Sequence, residues 1–188
     1  MNESEKEKVG VIGLGIIGSG MANALREAGM HVYVWNRTPK AEPNFVGSPA
    51  EMAGLASTIQ IFVRDGAALR EVLEAMGPKI GEGHVILNHA TVSPDDTQWA
   101  AEFVQSREGA FLDAPFTGSK LAAEGGQLAY YVGGDENVLE RVRPILEKGA
   151  KDIVHVGKIG DATVLKVATN MISATPCVFT IAKASEST

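Results

Sequence analysis

The sequence has little cysteine and no excess of positive charge, and each shortage removes a class of protein. The single cysteine, Cys177, has no partner within the 188 residues, so a scaffold built on internal disulfides is excluded. We expect Cys177 to pack as a small hydrophobic residue rather than to act as a nucleophile. With 17 Lys and Arg against 23 Asp and Glu, the net charge is −6, and no basic stripe is present that could bind nucleic acid.

Long apolar runs are also missing. No segment approaches the roughly 18 apolar residues that suggest a membrane span, and the charged first eight residues, MNESEKEK, precede no apolar signal core. Histidine, cysteine and carboxylate residues never cluster at the spacing of metal ligands, so no metal site is predicted. Hydrophobic residues make up 45% of the chain, enough for the core of one domain. We therefore expect a cytoplasmic protein without membrane or nucleic-acid partners.

The chain does contain a glycine-rich turn between an apolar run and a helical pattern. After Ile12, the glycines Gly13, Gly15 and Gly18 follow in the order GxGxxG. The first permits a tight strand-to-helix turn, the second lets the backbone approach a pyrophosphate, and the third lets the helix pack closely. Free amide groups and the helix dipole favour an anion at this end of a helix. The predicted cofactor-binding residues of the turn are Gly13, Leu14, Gly15, Ile16, Ile17 and Gly18.

The second predicted strand, residues 31–35, ends in Asn36, Arg37 and Thr38, which we predict to bind the cofactor. A free ribose 2′-hydroxyl usually meets Asp or Glu at this position, but Asn36 stands there instead. Arg37 and Thr38 supply the positive charge and the hydroxyl that suit a 2′-phosphate. NADP(H) is thus the expected cofactor and NAD(H) the less favoured one. An ordinary solvated arginine in a turn is the other interpretation.

Strands and helices alternate along the rest of the chain. Ser48 and Pro49 begin one helix as N-cap and first helical residue, and Ser93 and Pro94 begin another. Later strands are predicted at 58–63, 85–87, 128–132 and 153–156, with one more opening at 111. Such βα units predict an α/β, Rossmann-like, doubly wound and mostly parallel sheet. A helix from about residue 161 is apolar around most of its circumference and needs a cover.

Three segments resemble, in order, the signatures of the β-hydroxyacid dehydrogenases: VGVIGLGIIGSGMA at 9–22, DAPFTGSKLAAEGGQL at 113–128 and GDATVLKVATNMI at 160–172. This family includes 3-hydroxyisobutyrate dehydrogenase, tartronate semialdehyde reductase and the glyoxylate/succinic semialdehyde reductases. The middle segment looks most like the NADPH-dependent glyoxylate/succinic semialdehyde reductase branch, and Arg37 and Thr38 point the same way. The resemblance covers nearly every residue present but only the first of the family's two domains.

The resemblance implies that Lys166 is the catalytic lysine and Asn170 its partner. Four residues apart on a helix, the two side chains share one face, and apolar neighbours disfavour the charged form of the lysine. Lys166 would donate a proton to the substrate oxygen as hydride arrives at the carbonyl carbon, and Asn170 would orient the substrate. Thr117, Gly118 and Ser119 would hold the substrate carboxylate through hydroxyls and backbone amides.

The family's loops also pass the cofactor at Val63 and Arg64, after the third strand, and at Thr91, after the fourth. Phe116 stands where a smaller aliphatic residue is common, so we expect it to narrow or reshape the pocket. His89 lies near the same site. A lone loop histidine is more often incidental than catalytic, and no role is predicted for it.

The leading prediction is an NADPH-dependent oxidoreductase that reduces a small aldehyde or keto acid, of the glyoxylate or succinic semialdehyde type, to the hydroxy acid. One alternative is a 3-hydroxyisobutyrate-type dehydrogenase. Another is a cofactor-binding domain without turnover, because family members continue into an all-helical domain that covers the substrate and builds the dimer. An imine reductase is disfavoured by Lys166, since those enzymes usually carry a different residue there.

For the domain organisation, we expect residues 1–160 to form the NADP-binding domain and residues 161–188 to begin a long interdomain helix, with the helical domain absent. Pro176 should kink or end that helix because it lacks an N–H group. The apolar helix then needs either a second copy of the chain, in a homodimer, or the missing helical domain. The expected small-molecule partner is a carboxylate-bearing aldehyde or hydroxy acid.

Overall fold

A computed structural model describes residues 7–172 of the chain. The predictions made for Pro176 and Cys177, and for the course of the helix through 173–188, lie outside the described residues. Within the described part, no helix has both the length and the hydropathy of a membrane span.

The strands of this part of the chain form one sheet with a parallel centre. They are β1 (Lys8–Ile12), β2 (His31–Trp35), β3 (Thr58–Ile61), β4 (Val85–Asn88), β5 (Ala110–Asp113), β6 (Phe116–Thr117), β7 (Leu128–Gly133) and β8 (Ala150–Gly157). Five of them run parallel in the order β2–β1–β3–β4–β5. β7 lies antiparallel to β5 and β6 along one edge and parallel to β8 along the other.

Helices cover both faces of the sheet. They are α1 (Ile16–Glu27), α2 (Pro49–Leu55), α3 (Gly66–Met76), α4 (Pro94–Gln105), α5 (Lys120–Glu124), α6 (Glu136–Leu146) and α7 (161–172). Because side chains alternate across a strand, β4 sends Val85 and Leu87 into one core and Ile86 into the other. α1 and α6 pack in the first core, and α2, α3 and α4 in the second. The predicted α/β, doubly wound, mostly parallel fold is confirmed.

Some predicted boundaries are wrong by a few residues. β3 ends at Ile61 rather than at 63, although the Phe62 N–H still donates to the Ile12 carbonyl at 2.7 Å. β8 begins at Ala150, three residues earlier than predicted. β6 and α5 were not predicted, because elements of two and five residues are too short to show a hydrophobic period.

The irregular loop after β2 is anchored although it contains no helix. The Arg26 guanidinium on α1 donates to the Glu42 carboxylate and to the Pro43 carbonyl, both at 3.0 Å. The Val34 N–H of β2 donates to the Asn44 carbonyl at 3.1 Å. These bonds fix the segment that follows Arg37. Arg37 itself lies just after the end of β2, the strand next to β1 and the glycine-rich turn.

A buried carboxylate attaches α7 to the sheet. Asp113, the last residue of β5, has no exposed surface. Its two oxygens accept the Thr163 N–H at 2.9 Å and the Thr163 hydroxyl at 2.8 Å. The Thr163 hydroxyl also lies 3.1 Å from that of Thr97 on α4. Thr163 belongs to the first turn of α7, where the helix dipole favours a negative charge, so these bonds set both the position and the rotation of the helix.

The substitution Asp113→Ala tests this attachment. It leaves the Thr163 N–H and hydroxyl buried without their acceptor, so we expect the free energy of unfolding to fall by about 2–4 kcal/mol. Asp113→Asn is the matched control, because its amide group can accept from the N–H and donate to the hydroxyl. Urea unfolding measures both variants, and an unchanged midpoint for the alanine variant would contradict the attachment.

The pH dependence of the same pair has a defined sign. Burial raises the pKa of Asp113 above its ordinary value, although bonds from Thr163 and Gly160 act the other way. The folded protein therefore binds a proton at Asp113 more tightly than the unfolded chain does. As the pH rises from the ordinary to the raised pKa, the Asn variant should gain stability relative to the wild type, and the difference should stay constant above that range.

Candidate dinucleotide and substrate site

The glycine-rich turn joins β1 to α1, and glycine suits its three positions for different structural reasons. Gly13 has a φ of +93°, and a Cβ there would lie 2.0 Å from the Phe62 carbonyl oxygen. A Cβ on Gly18 would lie 1.9 Å from the Gly13 carbonyl oxygen. A Cβ on Gly15 would meet no protein atom within 4 Å. Packing therefore requires glycine at 13 and 18, whereas at 15 the space above the backbone is open to a ligand.

The end of β2 is tied to this turn. Asn36 Oδ1 accepts the Leu14 N–H at 3.0 Å, and Asn36 Nδ2 donates to the Thr38 carbonyl at 2.8 Å. Asn36 thus uses both parts of its amide within the protein. Lys40 Nζ donates to the Leu14 carbonyl from the other side. Lys40 was not predicted; its signal was a second cation three residues after Arg37.

A first cleft of about 290 Å³ lies beside the turn. The predicted residues Gly13, Asn36, Arg37, Val63 and Arg64 line it, together with Trp35, Phe62 and Asp65. Arg64 makes an ion pair with Asp65 at 2.8 Å and remains mostly exposed. The bond that the Ala68 N–H donates to Asp65, and then this ion pair, hold the pKa of Asp65 below its usual value. Arg37 thus stands at the rim of a cleft of mixed apolar and polar character.

A second cleft of about 520 Å³ begins on the other side of the turn. The sequence-predicted residues that line it are Gly15, Ile16, Ile17, Gly18, Val63, Arg64, Thr91, Gly118 and Lys166. Phe62, Val63 and Arg64 border both clefts. The two clefts are therefore neighbours along the carboxyl ends of β1, β3 and β4, the edge where parallel α/β sheets bind ligands.

Lys166 enters the second cleft from α7. Its Nζ donates to the Thr117 hydroxyl at 3.0 Å, across 49 residues of sequence. The side chain is half-buried, and burial lowers the pKa of the Lys166 ammonium below the value of an ordinary lysine. Two residues that the sequence analysis named separately, one for proton donation and one for carboxylate binding, are thus in direct contact.

Other predicted residues are placed less directly. Asn170 lies one turn beyond Lys166 and is exposed, and it does not line the second cleft. The Ser119 hydroxyl accepts the Ala122 N–H at 3.3 Å and so caps the short helix α5. Thr38 is exposed beyond β2, with its carbonyl bonded to Asn36. Phe116, expected to reshape the pocket, lines the second cleft and lies 6.3 Å from the ring of Phe62.

His89, for which no role was predicted, lies in the wall of the second cleft and is only 2% exposed. Its Nδ1 lies 2.7 Å from the Ala114 carbonyl oxygen, and its Nε2 lies 3.1 Å from Gln60 Oε1. Burial lowers the pKa of His89 to about 4. The sequence signal was one polar residue within an apolar strand and another directly after the next strand, but no local pattern joins Gln60 to His89.

The turn, the adjoining helix N-terminus and the paired clefts define a class of protein. An open space above Gly15, two clefts that meet at the turn, and a cation at the rim fit a dinucleotide. A lysine with a lowered pKa in the second cleft suits proton transfer to or from a molecule bound there. The arrangement is that of the cofactor-binding domain of an oxidoreductase.

Comparisons with known proteins give the family. A family model described as the NAD binding domain of 6-phosphogluconate dehydrogenase matches residues 8–157. The chain is 36% identical over 176 residues to 2-hydroxy-3-oxopropionate reductase of Escherichia coli (strain K12). The aligned segment covers 89% of this chain and 60% of that protein. The chain is also 31% identical over 176 residues to glyoxylate/succinic semialdehyde reductase 2, chloroplastic, of Arabidopsis thaliana. That alignment covers 87% of this chain and 49% of that protein.

A solved structure agrees with these relatives. Mycobacterium tuberculosis 3-hydroxyisobutyrate dehydrogenase with L-serine matches the fold with a TM-score of 0.86 and 28% identity, over 90% of this chain and 60% of that one. The chain therefore belongs to the β-hydroxyacid dehydrogenase family and carries its NAD(P)-binding domain. It spans 60% of the Escherichia coli relative and 49% of the Arabidopsis one.

The different reasons for Gly13 and Gly15 can be tested with one substitution at each. Gly13→Ala places a Cβ against the Phe62 carbonyl at a positive φ, and we expect a loss of more than about 2 kcal/mol of folding free energy. Gly15→Ala meets no protein atom, so its urea midpoint should stay at the wild-type value. Its affinity for NADPH, measured by fluorescence titration, should nevertheless fall by about tenfold or more, which is at least about 1.4 kcal/mol. Wild-type NADPH affinity in the Gly15 variant would rule out the turn as the pyrophosphate site.

Proposed function

We propose that this protein is an NADPH-dependent reductase of small carboxylate-bearing aldehydes or keto acids, of the glyoxylate or succinic semialdehyde type. The observation that carries the proposal is the 3.0 Å contact between Thr117 and Lys166, whose side chain lines the cleft that begins at the glycine-rich turn. Two relatives, 2-hydroxy-3-oxopropionate reductase of Escherichia coli and glyoxylate/succinic semialdehyde reductase 2 of Arabidopsis thaliana, support this substrate class. A 3-hydroxyisobutyrate-type dehydrogenase is the alternative within the same family, supported by the matched Mycobacterium structure.

In the proposed reaction, bound NADPH supplies the hydride. The Lys166 ammonium donates a proton to the substrate oxygen as negative charge develops there, and it takes the hydroxyl proton in the reverse direction. Thr117, Gly118 and Ser119 hold the substrate carboxylate through hydroxyl and amide groups, and Asn170 helps to orient the substrate once the cleft is covered. Because burial lowers its pKa, the Lys166 ammonium is a stronger proton donor than a solvated lysine.

The cofactor part of the proposal assigns the first cleft to the adenosine half of NADPH. Arg37 at its rim, followed along the chain by Thr38 and Lys40, supports a 2′-phosphate rather than a free hydroxyl. The anchored loop after β2 supports the same assignment, since it keeps these residues beside the turn. NAD(H) remains the less favoured cofactor, and the family description names NAD without deciding between the two.

The exposed apolar side chains of α7 favour a second candidate function, a cofactor-binding domain without turnover. Four apolar side chains of α7 are exposed, with relative exposures of 55% at Val164, 38% at Val167, 67% at Met171 and 72% at Ile172. An apolar helical face of this kind needs a cover. We propose that residues 1–160 form the NADP-binding domain and that 161–188 begin an interdomain helix, to be covered by a helical domain or by a second copy in a homodimer. Without that cover the chain would be a cofactor-binding domain without turnover. The single cysteine, which allows no disulfide within these 188 residues, supports the reducing cytoplasm as its location.

The substitution Lys166→Ala tests the proton donor. NADPH oxidation at 340 nm with glyoxylate and with succinic semialdehyde should fall by about 10²–10⁴-fold, whereas NADPH affinity should not change. Lys151→Ala, which removes an exposed lysine on β8, is the matched control and should keep full activity. If the wild type binds NADPH but shows no turnover, the result would instead support the alternative function, a cofactor-binding domain that is inactive until α7 is covered.

The pH profile gives a further readout of the same group. Reduction needs the protonated ammonium, so kcat/KM should fall as the pH rises through the pKa of Lys166, and oxidation of the hydroxy acid should rise over the same range. Because burial lowers that pKa, the change should occur at a lower pH than an ordinary lysine would give. A profile that is flat across this range would exclude Lys166 as the proton donor.

The substitution Arg37→Ala tests the cofactor preference. A charge-assisted bond to a phosphate is worth about 1.5–3 kcal/mol, so NADPH affinity should fall by about tenfold or more while NADH affinity stays the same. Arg141→Ala, which removes an exposed arginine from α6 outside both clefts, is the matched control. An equal loss for both cofactors, or none, would leave NAD(H) as the better assignment.

A further inference from the structure

Three buried polar side chains, those of Gln60, His89 and Tyr130, form a cluster at the second cleft and take no part in the proposed chemistry. Gln60 and Tyr130 have no exposed surface, and His89 is 2% exposed. The imidazole of His89 stacks on the Phe62 ring at 4.4 Å and lies 4.9 Å from the Tyr130 ring. Gln60 Nε2 and the Tyr130 hydroxyl have no hydrogen-bond partner among the described residues. Burial of polar atoms costs free energy unless they are bonded, so this group needs a compensating role.

His89 joins the ends of three neighbouring parallel strands. The residue follows directly after β4, and its N–H donates to the carbonyl of Ile61, the last residue of β3, at 2.9 Å. Its Nδ1 lies 2.7 Å from the carbonyl oxygen of Ala114, the residue directly after β5. Its Nε2 faces Gln60 of β3 at 3.1 Å. One side chain thus holds the carboxyl ends of β3, β4 and β5 together at the edge where the second cleft lies.

The proton on this ring can be assigned by elimination. Burial lowers the pKa of His89 to about 4, so the neutral imidazole carries a single N–H at physiological pH. The Ala114 carbonyl can only accept, so the proton is on Nδ1. Nε2 then presents a lone pair, which the Gln60 side chain can meet by turning its amide half a turn and donating its NH₂ group. That turn also gives the unpaired Gln60 nitrogen a partner.

Ala114 begins the segment that carries Thr117. Its N–H donates to the Asn88 carbonyl at 2.8 Å, and its own carbonyl faces His89. Both of its backbone groups are therefore held from the end of β4. Thr117, three residues further on, contacts Lys166 at 3.0 Å. A shift of the Ala114 carbonyl would pass through Pro115 and Phe116 to the hydroxyl that meets the lysine.

We propose that His89 is a positioning residue: its bond to the Ala114 carbonyl fixes the start of segment 114–119, whose strand β6 pairs with β7, so that Thr117 meets the Lys166 that lines the second cleft. The inference rests on the proposed function, because the geometry it protects is that of the proposed proton donor. His89 itself donates no proton to the substrate. Misplacement of reacting groups by about 1 Å can cost about 10²-fold in rate, so a bond that sets this loop has a measurable effect.

Two substitutions separate the bonds of the ring. Asparagine places its amide NH₂ near the position of imidazole Nδ1, whereas glutamine places its whole amide group, which can accept or donate, near the position of Nε2. H89N therefore keeps the donor to Ala114 and loses the contact to Gln60, whereas H89Q does the reverse. We expect kcat for the aldehyde to fall by about tenfold or more in H89Q and to stay within about threefold in H89N, with the NADPH dissociation constant unchanged in both. Equal kcat in the two variants, or the greater loss in H89N, would overturn the proposal.

A readout without turnover keeps this test separate from the proposed function. ¹⁵N NMR of the wild type should show the His89 proton on Nδ1, and a proton on Nε2 would overturn the proposal. Amide hydrogen exchange at residues 116–119 should quicken by about tenfold in H89Q and remain at the wild-type rate in H89N. Urea midpoints confirm that both variants are folded. If the wild type shows no turnover, the proposed function fails, and the exchange rates and the ring proton still decide the role of His89.

Discussion

The hydrogen bonds between Asp113 and Thr163 are the constraint on which the candidate site depends. A buried carboxylate is costly, and here two bonds from Thr163 and the positive end of α7 offset part of that cost, although the pKa of Asp113 stays above its ordinary value. Apolar contacts alone would hold the helix near the sheet but would not fix its rotation, because they have no direction. Lys166 lies one turn beyond Thr163, so the rotation of α7 decides whether the ammonium meets Thr117 or points into solvent.

The parallel sheet explains why residues so distant in sequence meet at this site. β1, β3, β4 and β5 all point their carboxyl ends to one edge, where Gly13, Phe62, His89 and Ala114 follow the strands. Each loop therefore contributes a side chain or a carbonyl to the same two clefts. The antiparallel β7 then supports the loop after β5, since β6 pairs with it at Tyr130 and Ala129. The clefts are a property of the topology before any side chain is considered.

The sequence predicted those features that are local or periodic. The glycine-rich turn and the alternation of strands and helices depend on neighbours within a few residues, and they were predicted correctly. The catalytic role expected for Lys166 came from the resemblance. In the structure, the Lys166 ammonium lies 3.0 Å from the Thr117 hydroxyl. The bonds of Asp113 to Thr163, of His89 to Ala114 and of Asn36 to Leu14 span 50, 25 and 22 residues. No short-range pattern encodes such pairs, which exist only once the sheet has assembled.

Lys166 also bears on the choice between a reductase and a cofactor-binding domain. Among the described residues, Lys166 is partly buried without a carboxylate partner, which makes the ammonium less stable than in water. A domain that only bound a cofactor would therefore gain stability by losing it. The same burial makes the ammonium a better proton donor, which a reductase can use. In the proposed reductase, a cover over the exposed apolar side chains of α7 would also exclude water from the open second cleft beside Lys166. In that proposal, cofactor binding depends on the glycine-rich turn and turnover depends on what covers α7, so the two are separable.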